Sequence, residues 1–340
     1  MPPDVRDPLA DVLALLRPEA AVAAELRANG RWSLAFDAYP GVKFGVVVDG
    51  ECQIAVRGRA AQTLRAGDVV LLGGAPPYVM ASDMQTPSRS ANDFLRGTKK
   101  RVARLGSVGE KPIVHIVGAR FALDRANAHL LLEALPELVR IPADEAKSLR
   151  SVTRLLVEEV RSAQNGRPRA LDQLAQLVLT YALRWLDSDG KSLARTGWLR
   201  ALADARIGAA LRHIHSSVER GTSVVELAHV AGMSRTAFAA RFKELVGHPP
   251  LAYAIQWRMS LAKDALRTTD RAIGELGFTL GYESESAFSM AFRREVGCSP
   301  RVYRESFADA ARGPRRARRE KLVSDGELGM RDRRWTFRGS

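Results

Sequence analysis

Cysteine is scarce in this chain, which has only Cys52 and Cys298 among 340 residues. Two cysteines far apart in sequence form neither a disulfide framework nor a Cys-x-x-Cys motif. No apolar run is long enough to cross a membrane, and the first residues contain no apolar core of a signal peptide. These absences predict a soluble protein of the reducing cytoplasm, with no membrane partner.

Histidine is scarce as well. The chain has six histidines, and only His115 falls on a predicted strand. Because a divalent metal needs three or four protein ligands, a single histidine cannot hold one. The sequence therefore predicts no metal site, no other cofactor and no catalytic residue.

Acidic residues are outnumbered, 38 against 52 Lys and Arg, which gives a net charge of +14. Such an excess favours a polyanionic partner. Part of it lies in residues 312–340, where an arginine cluster has too little apolar surface to fold by burial. We predict that this segment is a disordered basic tail. One alternative function is an architectural DNA binder that uses this tail without preference between sequences.

Between residues 31 and 118, apolar residues alternate at period two in short runs. Asp49-Gly50 predicts a hairpin between two of these runs. Many short strands separated by Gly and Asp are typical of a small barrel or a double-sheet jelly roll. Before them, residues 8–28 have helical spacing and predict a helix that Pro18 divides.

Residues 129–187 return to helical spacing and predict two amphipathic helices. The second has an apolar stripe broad enough to pack on the strands and still offer a face to a partner. Residues 188–197 are polar and contain glycine, which predicts a linker. The sequence thus divides into an N-terminal domain of residues 1–187, the linker, and a C-terminal domain of residues 198–311, followed by the basic tail.

One pattern occurs twice in the C-terminal domain, with the form F-x3-F-x4-G-x2-P-x2-Y. Its two copies are Phe238, Phe242, Gly247, Pro250, Tyr253 and Phe288, Phe292, Gly297, Pro300, Tyr303. Five matched positions at fixed offsets indicate a duplicated motif.

Each copy predicts a helix-turn-helix. A short helix with one apolar face ends at a glycine turn, at Gly232 and at Gly281, where glycine tolerates the left-handed backbone. Ser234 is a favourable N-cap for the second helix, whose two phenylalanines lie on one face. A helix from Pro250 to about Arg267 joins the copies. Two helices around a short glycine turn are the arrangement of DNA-binding proteins.

Residues 207–304 resemble the C-terminal domain of AraC/XylS-type transcriptional regulators. The matching segments are Ser223-Val-Val-Glu-Leu-Ala228, Gly232-Met-Ser234, Phe242-Lys-Glu-Leu-Val-Gly247, Trp257-Arg-Met259 and Gly281-Tyr-Glu-Ser-Glu-Ser-Ala-Phe288. The order of strands and turns in residues 31–118 resembles the cupin-type N-terminal domain of one branch of this family.

The resemblance implies an α+β protein with an N-terminal cupin-like β-barrel, flanking helices, and an all-α C-terminal domain with two helix-turn-helix motifs. It implies a sequence-specific transcription regulator, more often an activator, that binds double-stranded DNA and contacts RNA polymerase. It also implies a homodimer formed through residues 129–187 and a small-molecule effector at the barrel. Packing within one chain remains an alternative interpretation of those helices.

Small barrels hold one small ligand in their mouth. The candidate effector-binding residues are Trp32, Phe44, Tyr78, Met80 and His115. A plain core role is an equally good interpretation of the same residues.

The helix faces opposite the buried phenylalanines are the predicted DNA-reading surfaces. In the first recognition helix they carry Ser234, Arg235, Thr236, Ala239, Ala240, Arg241 and Lys243. In the second they carry Ser284, Glu285, Ser286, Ser289, Met290, Arg293 and Arg294. Members of the family commonly have arginine two residues before the second aromatic, where this chain has Ala240 and Met290. We therefore predict a specificity that depends on thymine methyl groups and DNA shape more than on guanine.

Two further functions stay open at this point. In the first, the barrel is a metal-dependent cupin enzyme that is fused to a DNA-binding domain. The lack of metal-binding histidines on the predicted strands opposes this hypothesis. Alternatively, the chain is a thiol-based redox sensor. Cys52 lies on a predicted strand, where a buried thiol is usually inert. Cys298 follows the second recognition helix, where oxidation would disturb DNA binding.

Overall fold

A computed structural model describes residues 6–96, 102–106, 114–188 and 197–312 of the chain. The predicted basic tail lies outside the described residues apart from Arg312, and so does the predicted linker apart from its first and last residues. No helix of the described part is long and apolar enough to cross a membrane.

The described chain begins with a helix, continues with strands and ends with helices. The strands are β1 (Glu19–Ala28), β2 (Ser33–Phe36), β3 (Val42–Asp49), β4 (Glu51–Val56), β5 (Gln62–Arg65), β6 (Val69–Gly73), β7 (Tyr78–Ala81), β8 (Arg89–Ser90), β9 (Val102–Leu105), β10 (Val114–Ala122) and β11 (Val139–Ile141). The helices are α1 (Pro8–Leu16), α2 (Ala91–Arg96), α3 (His129–Leu132), α4 (Lys147–Arg161), α5 (Arg167–Ser188), α6 (Trp198–Ala203), α7 (Ala205–Ser216), α8 (Val224–Val230), α9 (Arg235–Val246), α10 (Pro250–Thr268), α11 (Ile273–Thr279), α12 (Glu285–Val296) and α13 (Pro300–Arg312). This order is the mixed α+β fold that the sequence predicts.

The strands form two open sheets instead of the predicted closed barrel. One sheet has the order β11-β6-β3-β10-β1-β9 and the other the order β5-β4-β7-β2-β8. The predicted hairpin at Asp49-Gly50 is wrong, because β3 pairs with β6 and β10 while β4 pairs with β5 and β7. The turn carries the chain from one sheet to the other. Both sheets cover a shared cluster of buried side chains, so the double-sheet alternative is the correct one.

Residues 19–28 form strand β1, which corrects the second half of the predicted first helix. Helix α1 ends before Pro18, with Arg17 in the left-handed conformation at φ 41°. Beyond it, β1 pairs antiparallel with β10 and parallel with β9. Backbone hydrogen bonds to two neighbouring strands outweigh a helical spacing of apolar residues. The local pattern could not show this, because both partner strands lie far along the chain.

The six-stranded sheet, which contains β10, has buried side chains on both faces. In β10, Val114 and Ile116 face the cluster between the sheets, whereas Val117, Ala119 and Phe121 belong to an outer cluster. Alternation at period two sends successive side chains to opposite faces. The outer cluster also contains buried side chains of α4, α5 and the C-terminal helices. The strands and the C-terminal helices therefore share one continuous core.

Ion pairs join the strand-rich part of the chain to α10. Arg267 Nη1 lies 2.5 Å from Asp124 Oδ2, with side chains only 13% and 18% exposed, and Arg17 Nη2 lies 3.1 Å from Asp264 Oδ1. Trp198 Nε1 donates to the backbone carbonyl of Leu130 at 2.5 Å. Because the Arg267 pair is largely buried, losing one partner would leave an uncompensated charge. The two ion pairs hold α10, and the Trp198 hydrogen bond holds α6, against the N-terminal part of the chain.

His215 on α7 is the most buried ionisable group of this junction, with no exposed surface. Its Nδ1 lies 3.1 Å from Asp11 Oδ2 on α1, its Nε2 lies 3.0 Å from Tyr253 Oη, and its ring stacks on Trp257 at 4.0 Å. The carboxylate accepts from Nδ1–H, so Nε2 accepts from the tyrosine hydroxyl. Burial lowers the pKa of His215 below its usual range, and the Asp11 carboxylate opposes this only in part.

This pKa predicts a stability that depends on pH. Below about pH 6.5 the unfolded chain protonates this histidine while the folded chain resists it, so the free energy of unfolding falls as pH falls. We expect His215→Gln to reduce that fall by up to about 1.4 kcal/mol per pH unit, measured by urea unfolding between about pH 7 and pH 5. A His229→Gln control, at an exposed histidine, is measured in the same way. An unchanged slope in His215→Gln would contradict the prediction.

Candidate nucleic-acid interface

The first helix-turn-helix consists of α8 and α9, and serine caps both helices. The Ser223 hydroxyl accepts from the Glu226 N–H at 3.1 Å, and the Ser234 hydroxyl accepts from the Ala237 N–H at 3.3 Å. Such caps satisfy N–H groups that have no partner within the helix. Gly232 takes φ 60° between the two helices, which glycine adopts without strain. The predicted turn and N-cap are present.

The second unit, α11 and α12, repeats this geometry. The Ser284 hydroxyl caps the start of α12 at 3.1 Å, and Gly281 takes φ 79° in the turn. A Cβ at Gly281 would lie 2.8 Å from the Val218 carbonyl oxygen and 2.9 Å from that of Glu219, whereas Gly232 has open space. The second turn therefore requires glycine for two reasons, its positive φ and the lack of space for a Cβ. This turn packs on the segment that precedes α8.

A row of three aromatic rings holds each recognition helix in place. The ring centroids of Phe238 and Phe242 lie 5.6 Å apart, and those of Phe242 and Tyr253 lie 6.0 Å apart. The equivalent rings of the second copy are 5.8 and 5.4 Å apart. All four phenylalanines have no exposed surface. The fixed spacing of the repeat is thus the spacing of a buried aromatic row.

Helix α10 joins the two units. It has 19 residues and is about 28 Å long at 1.5 Å per residue. Pro250 occupies its first turn, and Trp257 and Tyr253 are buried against the neighbouring helices. The helix is one residue longer than the sequence predicts, and it acts as a rigid spacer between the units.

Most of the predicted DNA-reading residues lie on the outer faces of α9 and α12. The exposed members without an ion pair among the described residues are Arg235, Thr236, Ala240, Lys243, Glu285, Ser286, Met290 and Arg293. Ala239 and Ser289 are half-buried, and the hydroxyls of Ser234 and Ser284 serve as caps. Met290 is 75% exposed, the largest exposed fraction among the exposed large apolar side chains of the described residues.

Two of the predicted DNA-reading cations are already paired with carboxylates. Arg241 lies 3.1 Å from Glu244 and 3.2 Å from Asp204, and Arg294 lies 2.8 Å from Glu295. These partly exposed pairs stabilise the fold little, but the contact with Asp204 directs Arg241 toward α7. Asp204 also caps the start of α7. Sequence reasoning did not weigh Asp204, although its position as an N-cap was the available signal.

The five candidate effector-binding residues do not converge on one place. Trp32, Tyr78 and Met80 belong to the cluster between the sheets. Phe44 belongs to the outer cluster, and His115 lies on the outer face with its Nδ1 3.2 Å from Nη2 of Arg161 on α4. Period-two alternation separates the two groups, so a single cavity lined by all five is excluded by the sheet geometry. Binding of an effector to the inner three stays a prediction.

His115 has a buried acidic partner that the sequence did not single out. Its Nε2 lies 2.8 Å from Glu25 Oε1, and Glu25 is 3% exposed. Arg27 also donates to this carboxylate, at 2.7 Å from Nε. Burial lowers the pKa of His115, and the nearby Glu25 opposes this shift. His115 thus lies in a buried charge cluster with Glu25, Arg27 and Arg161, and its predicted role in effector binding stays a prediction.

The described residues contain no group of three or more His, Cys, Asp or Glu arranged to hold a metal ion. Cys52 is 1% exposed, and burial raises the pKa of its thiol to about 12, with Glu51 and Asp68 adding to the shift. A thiol in this state is protonated at neutral pH and reacts poorly. Cys298 is half-buried.

Two family models match the chain. One described as Cupin matches residues 7–187, and one described as Helix-turn-helix domain matches residues 227–306. The first covers more than half of the chain, and the second covers the helix-turn-helix units from Leu227 in α8 onward.

Similar proteins span nearly the whole chain. A putative AraC-like transcription regulator of Streptomyces lividans is 34% identical over 88% of this chain and 98% of its own length. One of the same description from Streptomyces antibioticus is 33% identical over the same shares. The HTH-type transcriptional regulator AlkR of Acinetobacter baylyi is 28% identical over 82% of this chain and 93% of its own length.

The aromatic rows predict a sharp difference between two residues of α12. We expect Phe292→Ala to lower the free energy of unfolding by about 3–5 kcal/mol, because it leaves a cavity in a close-packed row. Met290→Ala, two residues away and exposed, changes it by less than about 0.5 kcal/mol. Urea unfolding followed by circular dichroism measures both. Equal effects of the two substitutions would show that the row does not support the helix.

Proposed function

This chain belongs to the AraC-like transcription regulators, and we propose that it reads specific DNA sites through the outer faces of α9 and α12. The observation that carries the proposal is the duplication of one geometry. Each unit has a serine cap, a glycine turn and a buried aromatic row, and each leaves the opposite helix face exposed. An exposed helix after a glycine turn is the element that enters the major groove.

The dimensions of the C-terminal domain support contact with two successive major grooves. Recognition helices that enter successive grooves on one side of a duplex lie about 34 Å apart. The α10 spacer, at about 28 Å, is of that order. The cations Arg235, Lys243 and Arg293 supply phosphate contacts, which position the protein without selecting a sequence.

Sequence selection falls to the short and apolar side chains of the outer faces. Thr236 and Ser286 offer hydroxyls, while Ala240 and Met290 offer apolar contact with thymine methyl groups. Neither helix has an arginine two residues before its second phenylalanine, where Ala240 and Met290 stand, that would bind guanine in two places. We therefore propose a preference for A·T-rich sites and for DNA shape.

This proposal predicts a change of specificity in one variant. Selection of DNA sites from a random pool should yield wild-type sites without invariant guanine opposite both helices. Met290→Arg should add a guanine preference of about 1–3 kcal/mol at one position, because arginine binds guanine O6 and N7 together. Met290→Lys is the control for added charge alone, and it should strengthen binding more evenly over all sequences. Invariant guanines in the wild-type sites would refute the proposed mode of reading.

The same selection separates this function from that of an architectural binder. A chain truncated after residue 312 should select the same sites with a smaller salt dependence, since the basic tail adds phosphate contacts. Salt-dependent binding without sequence preference that the truncation abolishes would favour the architectural function.

We propose that the N-terminal domain receives a small-molecule signal and that α4 and α5 form a homodimer. Leu155 on α4 and Leu177 on α5 are 49% and 45% exposed, and exposed apolar side chains on packed helices suit a partner surface. A signal that binds one conformer better would shift the population that is competent for DNA or RNA polymerase. Activation of transcription in the cytoplasm is the mode that we propose.

The dimer surface has a direct test. Leu177→Glu should convert the protein from dimer to monomer in sedimentation velocity, because it places a charge in an apolar contact. Leu251→Glu provides the control, since this α10 leucine is 41% exposed and lies outside the proposed surface. A dimer that survives Leu177→Glu and Leu155→Glu together would show that these helices pack only within one chain.

An enzymatic role and a thiol switch are the competing proposals, and we favour neither. Two observations support a binding role for the N-terminal domain. The similar proteins are described as transcription regulators, and the described residues contain no group of side chains arranged to hold a metal ion. Stoichiometric iron or manganese in the purified protein would favour the enzyme. An oxidant response that is lost in a Cys52→Ser, Cys298→Ser double variant would favour the switch.

A further inference from the structure

Three aromatic rings meet at one end of the sandwich, at the rim of the cluster between the sheets. Phe36 ends β2 and Tyr78 begins β7, and the two residues are cross-strand partners whose rings stack at 4.6 Å with an interplanar angle of 5°. Tyr39 follows in the loop before β3. Phe36 and Tyr39 are half-buried and pack on the inner cluster. The rim therefore presents aromatic surface that solvent can reach.

Two cations lie at the same rim. Lys43 on β3 and Arg120 on β10 are directly opposite in the register. The Lys43 Nζ lies 5.1 Å from the ring centroid of Tyr78, 5.6 Å from that of Tyr39 and 5.7 Å from that of Phe36. The Arg120 guanidinium lies 5.7 Å from the centroid of Tyr39. The rings attract both cations through their negative faces.

Among the described residues, no carboxylate forms an ion pair with Lys43 or Arg120, although the Asp37 carboxylate lies near enough to act on the Lys43 charge. The Lys43 amine donates only to the backbone carbonyl of Asp37, at 3.3 Å. The Asp37 carboxylate itself accepts from the Asn92 amide at 2.6 Å. Like charges directly opposite on neighbouring strands destabilise a sheet. Burial, and next the charge of Arg120, lower the pKa of Lys43 to about 8, while Asp37 raises it by less.

Two cations that have no ion-pair partner among the described residues, beside half-buried aromatic rings, have the chemistry of a site for an organic anion. A carboxylate accepts two hydrogen bonds from a guanidinium and one more from an ammonium. The rings of Phe36 and Tyr39 offer a surface on which a flat apolar group stacks. A neutral sugar would leave the two cations uncompensated, and an aliphatic acid would gain less from the rings.

We propose that Lys43, Arg120 and the rings of Phe36, Tyr39 and Tyr78 form the binding site for a small aromatic carboxylate. This inference rests on the proposed role of the N-terminal domain as the receiver of a small-molecule signal. It names a chemical class for that signal, and of the five residues only Tyr78 was a candidate from sequence.

Binding of an anion at this site takes up protons. The charged and titratable groups that face the Lys43 amine are Arg120, Asp37, Tyr39 and Tyr78. A bound carboxylate stabilises the ammonium and raises the pKa of Lys43 above its free value of about 8. Near that pH the free protein is partly deprotonated at Lys43 and the complex is not. Affinity should accordingly decrease as the pH rises through 8.

Isothermal titration of the full-length protein with benzoate tests the proposal. We expect one benzoate per chain, and an affinity at least about tenfold greater than that for acetate or benzyl alcohol. Lys43→Gln and Arg120→Gln should each weaken benzoate binding by about tenfold or more, while Lys43→Arg keeps the charge and loses less. The control Lys147→Gln, at an exposed lysine of α4, should bind as the wild type does. Titrations in two buffers of different ionisation enthalpy should show proton uptake that Lys43→Gln abolishes.

Failure of the wild type to bind benzoate overturns the proposal. Benzoate binding that is unchanged in Lys43→Gln and Arg120→Gln overturns it as well, because the anion then lies elsewhere. Thermal unfolding of each variant shows whether it is folded. Sequence-selective DNA binding is measured on the same preparations, so that a chain that binds DNA but not benzoate disproves this site while the proposed function as a DNA-binding regulator stands.

Discussion

The burial of three aromatic rings in each helix-turn-helix is the constraint on which the DNA-reading surfaces depend. A phenylalanine with no exposed surface fixes the rotation of its helix about its own axis. The residue two positions before a buried phenylalanine in the same helix then points away from the core. The exposure of Ala240 and Met290 follows directly from the burial of Phe242 and Phe292. The scaffold thus decides which side chains of α9 and α12 are exposed, and these are the ones that we propose read DNA.

The outer cluster extends this constraint to the strands. It passes from β10 through α4 and α5 into the helices around α10 without interruption. Asp11 on α1 contacts His215, His215 contacts Tyr253, and the Tyr253 ring lies against Phe242 on the first recognition helix. A change in the packing of the strands on α1 therefore has a contiguous path to a recognition helix. Such a path is a physical basis for control of DNA binding, and demonstrated coupling would require a second conformation.

The rim at Lys43 and the outer face of α12 both present side chains that have no matching partner among the described residues. Two like charges face each other at Lys43, and the apolar side chain of Met290 is exposed on α12. Local conflicts that the fold does not resolve tend to occur at functional sites. The aromatic carboxylate and the thymine methyl group are the partners that would resolve them.

The duplicated motif could be read from the chain because its information is local. Gly232, Ser234 and the phenylalanine spacing depend on the conformation of a few neighbouring residues, and all of them appear where the sequence predicts. The pairing of β1 with β10, the crossing of the chain between sheets at Gly50, and the contact of Arg241 with Asp204 join residues far apart. Hydrogen bonds and charges between distant segments have no periodicity in the sequence, so only the tertiary structure places Phe44 and His115 outside the sandwich and brings Lys43 and Arg120 together at its rim.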